Sequence, residues 1–558
     1  MTSTARAHGP VRAGLRSVAD LFPQRADLRA MARNPRRDLL AGVTVAIVAL
    51  PLALAFGAAS GLGAGAGIVT AIVAGFIAAV FGGSNLQVSG PTGAMTVVLV
   101  PIVHQFGPTG VLMVGLMAGV ALVVMAFARL GRYVRYLPAP VIEGFTAGIA
   151  VVIALQQVPA ALGVSGGEHD RLWESAADAV LHYLQHPDPW PPLVALGVMA
   201  VILLGAKWRP TWPSSLLAVA AASVIAVWGP MDLQSIGAIP AGLGAPSADF
   251  IDLGAIRALS TAAIAVAALA ALESLLSATV ADGMSVNERH DPDRELMGQG
   301  LANIVTPFFG GIPATAAIAR TAVNVRAGAS SRLAAASHAI VLLVVVAALA
   351  PVVSHVPLAA LAGVLFATTV RMVEFASLKA LARATRGDGL ILLLTFGATV
   401  LLDLVTAVVI GLSVAVLLAL RAVAKSAKVE AVPLEQGDYS EEEHRLLQEH
   451  IVAYRLDGPL FFAAAHNFLL EMTDVADVRI VILRMSRVST IDATGAQVLG
   501  DVIERLEKRG VTVLISGIRP HHDRVLTRLG VGKKLREEGR VFPDTPGAIA
   551  YARALISS

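Results

Sequence analysis

The chain has 558 residues, of which 56% are hydrophobic and only 15% charged, with a formal net charge of +3. Soluble domains carry about a quarter charged residues, so this balance argues against a large soluble core, and no nucleic-acid partner is expected. There are no cysteines, which excludes disulfides, thiolate nucleophiles and cysteine metal sites.

Residues 1–38 form a basic segment carrying Arg6, Arg12, Arg16, Arg25, Arg29, Arg33, Arg36 and Arg37. The first apolar stretch begins only near Leu39, too late for a cleavable signal peptide. The positive-inside rule places this end in the cytoplasm. Residues 39–424 follow as a transmembrane domain. They contain apolar runs near the roughly 20 residues that cross a bilayer as a helix, and the 51 glycines of the chain suit close helix packing. Clusters such as Arg129–Arg132–Arg135, Lys207–Arg209, Arg289–Arg294 and Arg326–Arg332 lie after even-numbered spans. The Gly166–Pro189 and Pro230–Leu253 loops are acidic and fall outside. An even number of spans is therefore expected, with both termini cytoplasmic.

Two polar interruptions resemble one another: VSGPTGAMT at Val88–Thr96 and GGIPATAAIART at Gly310–Thr321. Each offers Gly, Pro and Thr ahead of a helix-compatible run, with Pro suited to a first helical turn. Both are expected to be half-helices that start inside the membrane. A helix start exposes free N–H groups and a partial positive charge, and two facing starts can hold an anion. Paired broken helices in two halves point to a transporter site at an inverted-repeat interface. A weak echo between Ala41–Gly61 and Ala263–Gly283 pairs the first and eighth spans in the same way.

Glu273 is the sole charge between Thr261 and Val280. An intramembrane carboxylate is costly and marks an ion or proton pathway, so Glu273 is expected to couple transport to a proton or cation. Arg320 supplies a fixed positive charge beside the second half-helix. Asp282 is expected at an interface and Asp403 in an outer turn. His290, His338 and His355 read as ordinary surface or interface histidines. No metal cluster, cofactor site or nucleophile–base pair is apparent, so an enzyme is not expected.

Residues 425–449 read as a charged linker, with Glu441, Glu442 and Glu443 in a row. Residues 450–558 change to a soluble α/β pattern. Strands are expected at His450–Leu456, Arg479–Met485 and Val511–Ile515, and helices at Ala493–Lys508 and Arg519–Leu529.

These stretches, with PAPVIEGFTAGIA, ALESLLSATVADGM and LLDLVTAVVIGL, resemble the sulfate permease (SulP) anion transporters with a C-terminal STAS domain. Within that family, Glu273–Gly328 and GPLFFAAAHN most resemble bacterial C4-dicarboxylate transporters. The resemblance implies an α-helical membrane protein of 14 spans in two inverted repeats of seven, forming core and gate subdomains. It implies elevator-type alternating access, a homodimer in a bacterial inner membrane, and no cofactor. By motif it assigns substrate contacts to Pro51, Leu52, Thr92, Gly93, Ala94, Ala314, Thr315, Ala316 and Arg320, and coupling to Glu273. Leu52 replaces a glutamine common in plant and animal members, which removes a hydrogen-bonding group and weakens a specific claim for sulfate. The expected activity is secondary transport of a C4-dicarboxylate, bicarbonate or sulfate, coupled to protons or sodium. The alternatives are an uncoupled exchanger or channel on the same fold, or a signalling domain on a membrane anchor. In the STAS domain, Thr494 occupies the place of a phosphorylated hydroxyl residue, whereas Asp492 and Thr494 also suit a simple helix cap. A cytosolic partner of that domain is a further expectation.

Overall fold

The computed structural model describes residues 21–164, 171–209, 212–229, 231–285, 288–402, 404–426, 428–432, 450–461 and 478–557. It consists of two compact units divided near Leu412. The first is helical. A short helix α1 (Arg25–Met31) begins where the Gln24 N–H donates to Asp27 Oδ2 at 2.8 Å. Asp27 also pairs with Arg294 at 2.6 Å and lies 3.5 Å from Arg332. Burial pushes its carboxyl up, but the Arg294 and Gln24 hydrogen bonds and the Arg332 charge outweigh that and hold it below the usual carboxylate range.

Apolar runs then give α2 (Pro35–Ala59) and α3 (Ala64–Phe81). A two-residue strand, β1 (Ser89–Gly90), precedes α4 (Gly93–Phe127). Gly107 takes φ 69° inside α4 and is followed by Pro108, so residues 93–106 form a half-length piece. Next come α5 (Ala139–Leu162), α6 (Leu172–Gln185), α7 (Trp190–Trp208) and α8 (Ser214–Trp228). The acidic loop expected between the fifth and sixth spans thus contains α6. The second half runs through α9 (Ile256–Met284), α10 (Pro292–Val305), strand β2 (Thr315–Ala316) and α11 (Ile318–Arg326). It ends with α12 (Leu333–Val353), α13 (Leu358–Met372), α14 (Phe375–Ala384), α15 (Arg386–Leu401) and α16 (Leu404–Ser426). Among the described residues nine helices are long and apolar enough to cross a membrane, and α8 is a shorter apolar helix. Asp403 lies outside the described residues, as do residues 433–449 of the charged linker.

The packing is reciprocal between the halves. Helices α2 and α3 lie against α12, while α9 and α10 lie against α4. Small residues permit these approaches: a methyl on Gly119 of α4 would fall 2.6 Å from the Ile304 nitrogen and 2.7 Å from the Gly300 carbonyl oxygen of α10. A second group forms around α5, which packs on α13 and α15, with α7 against α13.

The second unit is a five-stranded sheet in the order β3-β4-β5-β6-β7. Its strands are β3 (Lys428–Val432), β4 (Ile451–Leu460), β5 (Ile480–Ile491), β6 (Thr512–Ser516) and β7 (Val541–Phe542). Only the β3–β4 pair is antiparallel among these ladders. Alternation along β5 fills both faces. Val481, Leu483 and Met485 pack with Leu499, Val502 and Leu506 of α17 (Ala493–Lys508), whereas Ile480 and Ile482 pack with Ala548 and Ala552 of α20 (Thr545–Ser557). Between them in the chain lie α18 (Pro520–Arg528) and α19 (Lys533–Glu537). Lys428–Val432, read from the sequence as part of the linker, is therefore an edge strand: Val429 and Ala431 sit opposite Leu456 and Tyr454 in the ladder.

Candidate anion-binding site

The two polar interruptions meet through their strands. β1 and β2 pair antiparallel, Ser89 opposite Ala316 and Gly90 opposite Thr315. This joins the start of α4 to the start of α11. Thr92 is the N-cap of α4: its Oγ1 accepts from Met95 N at 3.4 Å and donates to Glu273 Oε2 at 2.8 Å. Gly93 and Ala94 sit in the first turn, where N–H groups have no partner within the helix. Their N–H groups find no acceptor among the described residues.

The second start differs from its sequence reading. Helix α11 begins at Ile318, five residues beyond Pro313, with Ala317 as a cap that offers no side-chain bond. Neither proline lies in a first turn: Pro91 precedes the Thr92 cap, and Pro313 precedes β2. The reason is competition for backbone groups. Asn303 accepts from Ala314 N and donates to Ala314 O, both at 2.8 Å. Ser274 Oγ accepts from Ala316 N at 3.2 Å and bonds Thr315 Oγ1 at 2.9 Å. Ala314, Thr315 and Ala316 are buried.

Arg320, in the first turn of α11, is 1% exposed. Its Nη2 donates to the Pro91 carbonyl at 2.8 Å, so the side chain reaches back across the β1–β2 pair to the first helix start. Its Nη1 has no hydrogen-bond partner among the described residues. A methyl on Gly90 would lie 2.5 Å from that Nη1, so glycine is needed there for the close approach. Glu273, partly exposed on α9, and Arg320 interact as opposite charges. Thr92, Glu273 and Arg320 are thus brought to one place, between two helix starts.

Pro51 is buried within α2, and Leu52 beside it is partly exposed. One turn further on, Phe56 approaches the start of α4: a methyl on Gly93 would lie 3.2 Å from Phe56 Cε1. That methyl would also overlap Cδ1 of Ile153 on α5. Sequence reasoning missed both residues, which are apolar among apolar neighbours. It also missed Ser274 and Ser277, which fasten α9 to β2 and to α11. Ser277 Oγ donates to Thr321 Oγ1 at 3.0 Å, and that oxygen accepts from Val88 N at 3.1 Å. The only sequence signal was a pair of hydroxyl residues three places apart, Ser274 and Ser277, which share one face of the helix.

A profile of the sulfate permease family matches residues 36–395, and one of the STAS domain matches residues 446–548. The chain belongs to the sulfate permease family. It is a multi-pass membrane protein of a transporter family, with a C-terminal STAS domain. Among its relatives is the putative sulfate transporter YvdB of Bacillus subtilis, 35% identical over 515 residues, covering 90% of this chain and 95% of that protein. The bicarbonate transporter BicA of Picosynechococcus is 33% identical over 530 residues, covering 90% and 92%. The structure of the murine anion transporter Slc26a9 in the inward-facing state shares the fold, with a TM-score of 0.83 at 18% identity, covering 99% of this chain and 96% of that one.

Within this sulfate permease fold one histidine departs from the sequence reading. His338 is fully buried in α12, 3.8 Å through its Cε1 from where a methyl on Gly75 would lie. His290 bonds Asp282 Oδ2 at 2.8 Å near the end of α9, and His355 is exposed. In the STAS domain, Asp492 caps α17 by accepting from Gly495 N at 2.7 Å, and Thr494 is exposed in the first turn. Of GPLFFAAAHN, the stretch after Phe461 lies outside the described residues.

Proposed function

We propose that the protein is a secondary active transporter that moves a small oxyanion and couples it to a proton bound at Glu273. The observation that carries this is the Thr92–Glu273 hydrogen bond at a helix start whose next two N–H groups are free. Those N–H groups, the partial positive charge of two helix starts and Arg320 favour an anion. An ionised Glu273 beside them repels it. A proton on Glu273 removes the repulsion, and because Thr92 caps α4 the change is felt where the anion binds. Substrate and proton then favour each other's binding, which is what symport needs. A sodium ion held by Glu273 would serve the same electrostatic end and is the alternative coupling.

The activities named for YvdB and BicA favour sulfate or bicarbonate. The local likeness of Glu273–Gly328 to C4-dicarboxylate transporters supports a second substrate class. Counting α4 as two segments at Gly107, and leaving out α1, α6 and α14, the described helices from α1 to α16 number 14, in keeping with two repeats of seven. We assign residues 39–424 to transport and 450–558 to the STAS domain, with Lys428–Val432 joining that domain's sheet as its edge strand and the rest of 425–449 serving as the linker. The group holding α2–α4 and α9–α12 serves as the moving core against the α5–α13 group, in a homodimer of the bacterial inner membrane with both termini cytoplasmic.

The test is uptake of labelled sulfate, bicarbonate and succinate into proteoliposomes, with an inward proton gradient imposed or collapsed. Concentrative uptake of one anion only with the gradient supports proton symport. Uptake that follows sodium or a counter-anion instead removes the proton from the scheme.

A further inference from the structure

The first helix start has a lid on one side. A methyl on Gly93 would overlap Cδ1 of Ile153 and lie 3.4 Å from its Cγ1, with Phe56 Cε1 at 3.2 Å. Both side chains are buried, Ile153 at 1% exposure. They come from different helix groups. Phe56 belongs to α2, whereas Ile153 is on α5, which packs against α13 and α15. Leu52 and Glu273 are partly exposed, and the Glu273 carboxylate accepts from the Thr92 hydroxyl at 2.8 Å. The start of α4 is therefore covered by hydrocarbon at Gly93 and met by a carboxylate at Thr92.

We propose that Ile153 sets the size limit of the transported anion. An oxyanion that accepts from Gly93 N at about 2.9 Å is flanked by the Ile153 branch. A single-centre anion such as sulfate or bicarbonate stays clear of it. A four-carbon dicarboxylate places its second carboxylate and the carbons between against an apolar wall, where that charge loses water without gaining a partner. Ile153 thus discriminates by shape and by desolvation together, without a polar atom of its own. This proposal rests on the transporter reading above.

The test compares Ile153→Val, Ile153→Ala and Ile153→Phe with the unaltered protein, as full chains in proteoliposomes, by initial uptake of labelled sulfate, bicarbonate and succinate. Removing carbons from an apolar wall shifts discrimination by about tenfold or more. The succinate-to-sulfate ratio is expected to rise by about that factor in Ile153→Ala, less in Ile153→Val, and to fall in Ile153→Phe. Ile153→Val removes a single carbon, so it keeps the comparison open if the larger truncation fails to fold. Unaltered ratios in variants that still transport overturn the size limit and leave the transporter reading intact. A native protein that already prefers succinate overturns it as well. Transport of none of the three anions by the unaltered chain overturns the transporter reading, and the size limit with it.

Discussion

The start of α4 and the start of α11 arise from similar sequence and are joined by one antiparallel strand pair, yet they offer different chemistry. The first is capped by a side chain, Thr92, and leaves the Gly93 and Ala94 N–H groups without an acceptor among the described residues. The second has no side-chain cap, and its contribution is Arg320, which leaves its own helix to bond Pro91 on the other. One half supplies backbone dipole and the other a fixed charge. Two facing helix ends need not act as equal halves of a site: one side chain that crosses between them concentrates positive charge at the first start and places it opposite Glu273.

That asymmetry is broken most severely at Arg320. Arg320→Gln removes the charge and leaves the Pro91 carbonyl without its donor. Losing a hydrogen bond from a charged group costs roughly 1.5–3 kcal/mol, so initial anion uptake is expected to fall at least about tenfold. Lysine, a point charge without the planar fork, is not expected to restore it. Uptake within twofold of the native rate in Arg320→Gln would show that the helix dipoles suffice and that the two starts are equivalent after all.

Thr92→Val sharpens the comparison from the other side. It removes the cap of α4 and the bond to Glu273 while keeping the shape. Losing such a cap costs about 1 kcal/mol, a fall of roughly fivefold in anion affinity, read from the concentration dependence of uptake, with Thr92→Ser close to native. A native affinity in Thr92→Val, with the loss appearing in Thr92→Ser instead, would mean that the methyl, and not the hydroxyl, is the part that counts.

The smallest effect lies outside both starts, where Asp27 ties α1 to Arg294 and Arg332 of the second half. Its carboxyl is held below the ordinary value of 3.8 in the folded protein. The stabilisation is therefore fully present at neutral pH and is lost as pH falls below about 4, through the depressed value. Asp27→Asn is expected to lower the thermal unfolding midpoint by a few degrees or less at pH 7. The difference from the native protein should shrink on acidification. A difference that grows toward low pH contradicts the pairing.

Much of this was legible in the sequence because charge in an apolar span has few explanations. Glu273 and Arg320 stood out for that reason, Thr92 through the Gly-Pro-Thr interruption, and apolar periodicity marked β5 and α17 of the STAS domain. The pairing of β1 with β2 was not legible, since four residues far apart in the chain carry no periodicity. The late start of α11 was hidden because Asn303 and Ser274, on two other helices, claim the backbone of Ala314 and Ala316. β3 was hidden by Lys428 and Glu430, which are at home on an edge strand. Phe56 and Ile153 were invisible in principle: among so many apolar residues only packing shows which two cover Gly93. His338 looked ordinary because nothing in its neighbours reveals that α12 turns it inward.

The most direct measurement compares Glu273→Gln with the native protein in two assays on the same proteoliposomes: proton-driven accumulation of the transported anion, and exchange of labelled for unlabelled anion at equilibrium. Gln keeps a partner for Thr92 and carries no charge, so the account predicts that exchange persists while accumulation against a gradient is lost. Full proton-driven accumulation by Glu273→Gln would contradict it, and would take the coupling proton away from Glu273.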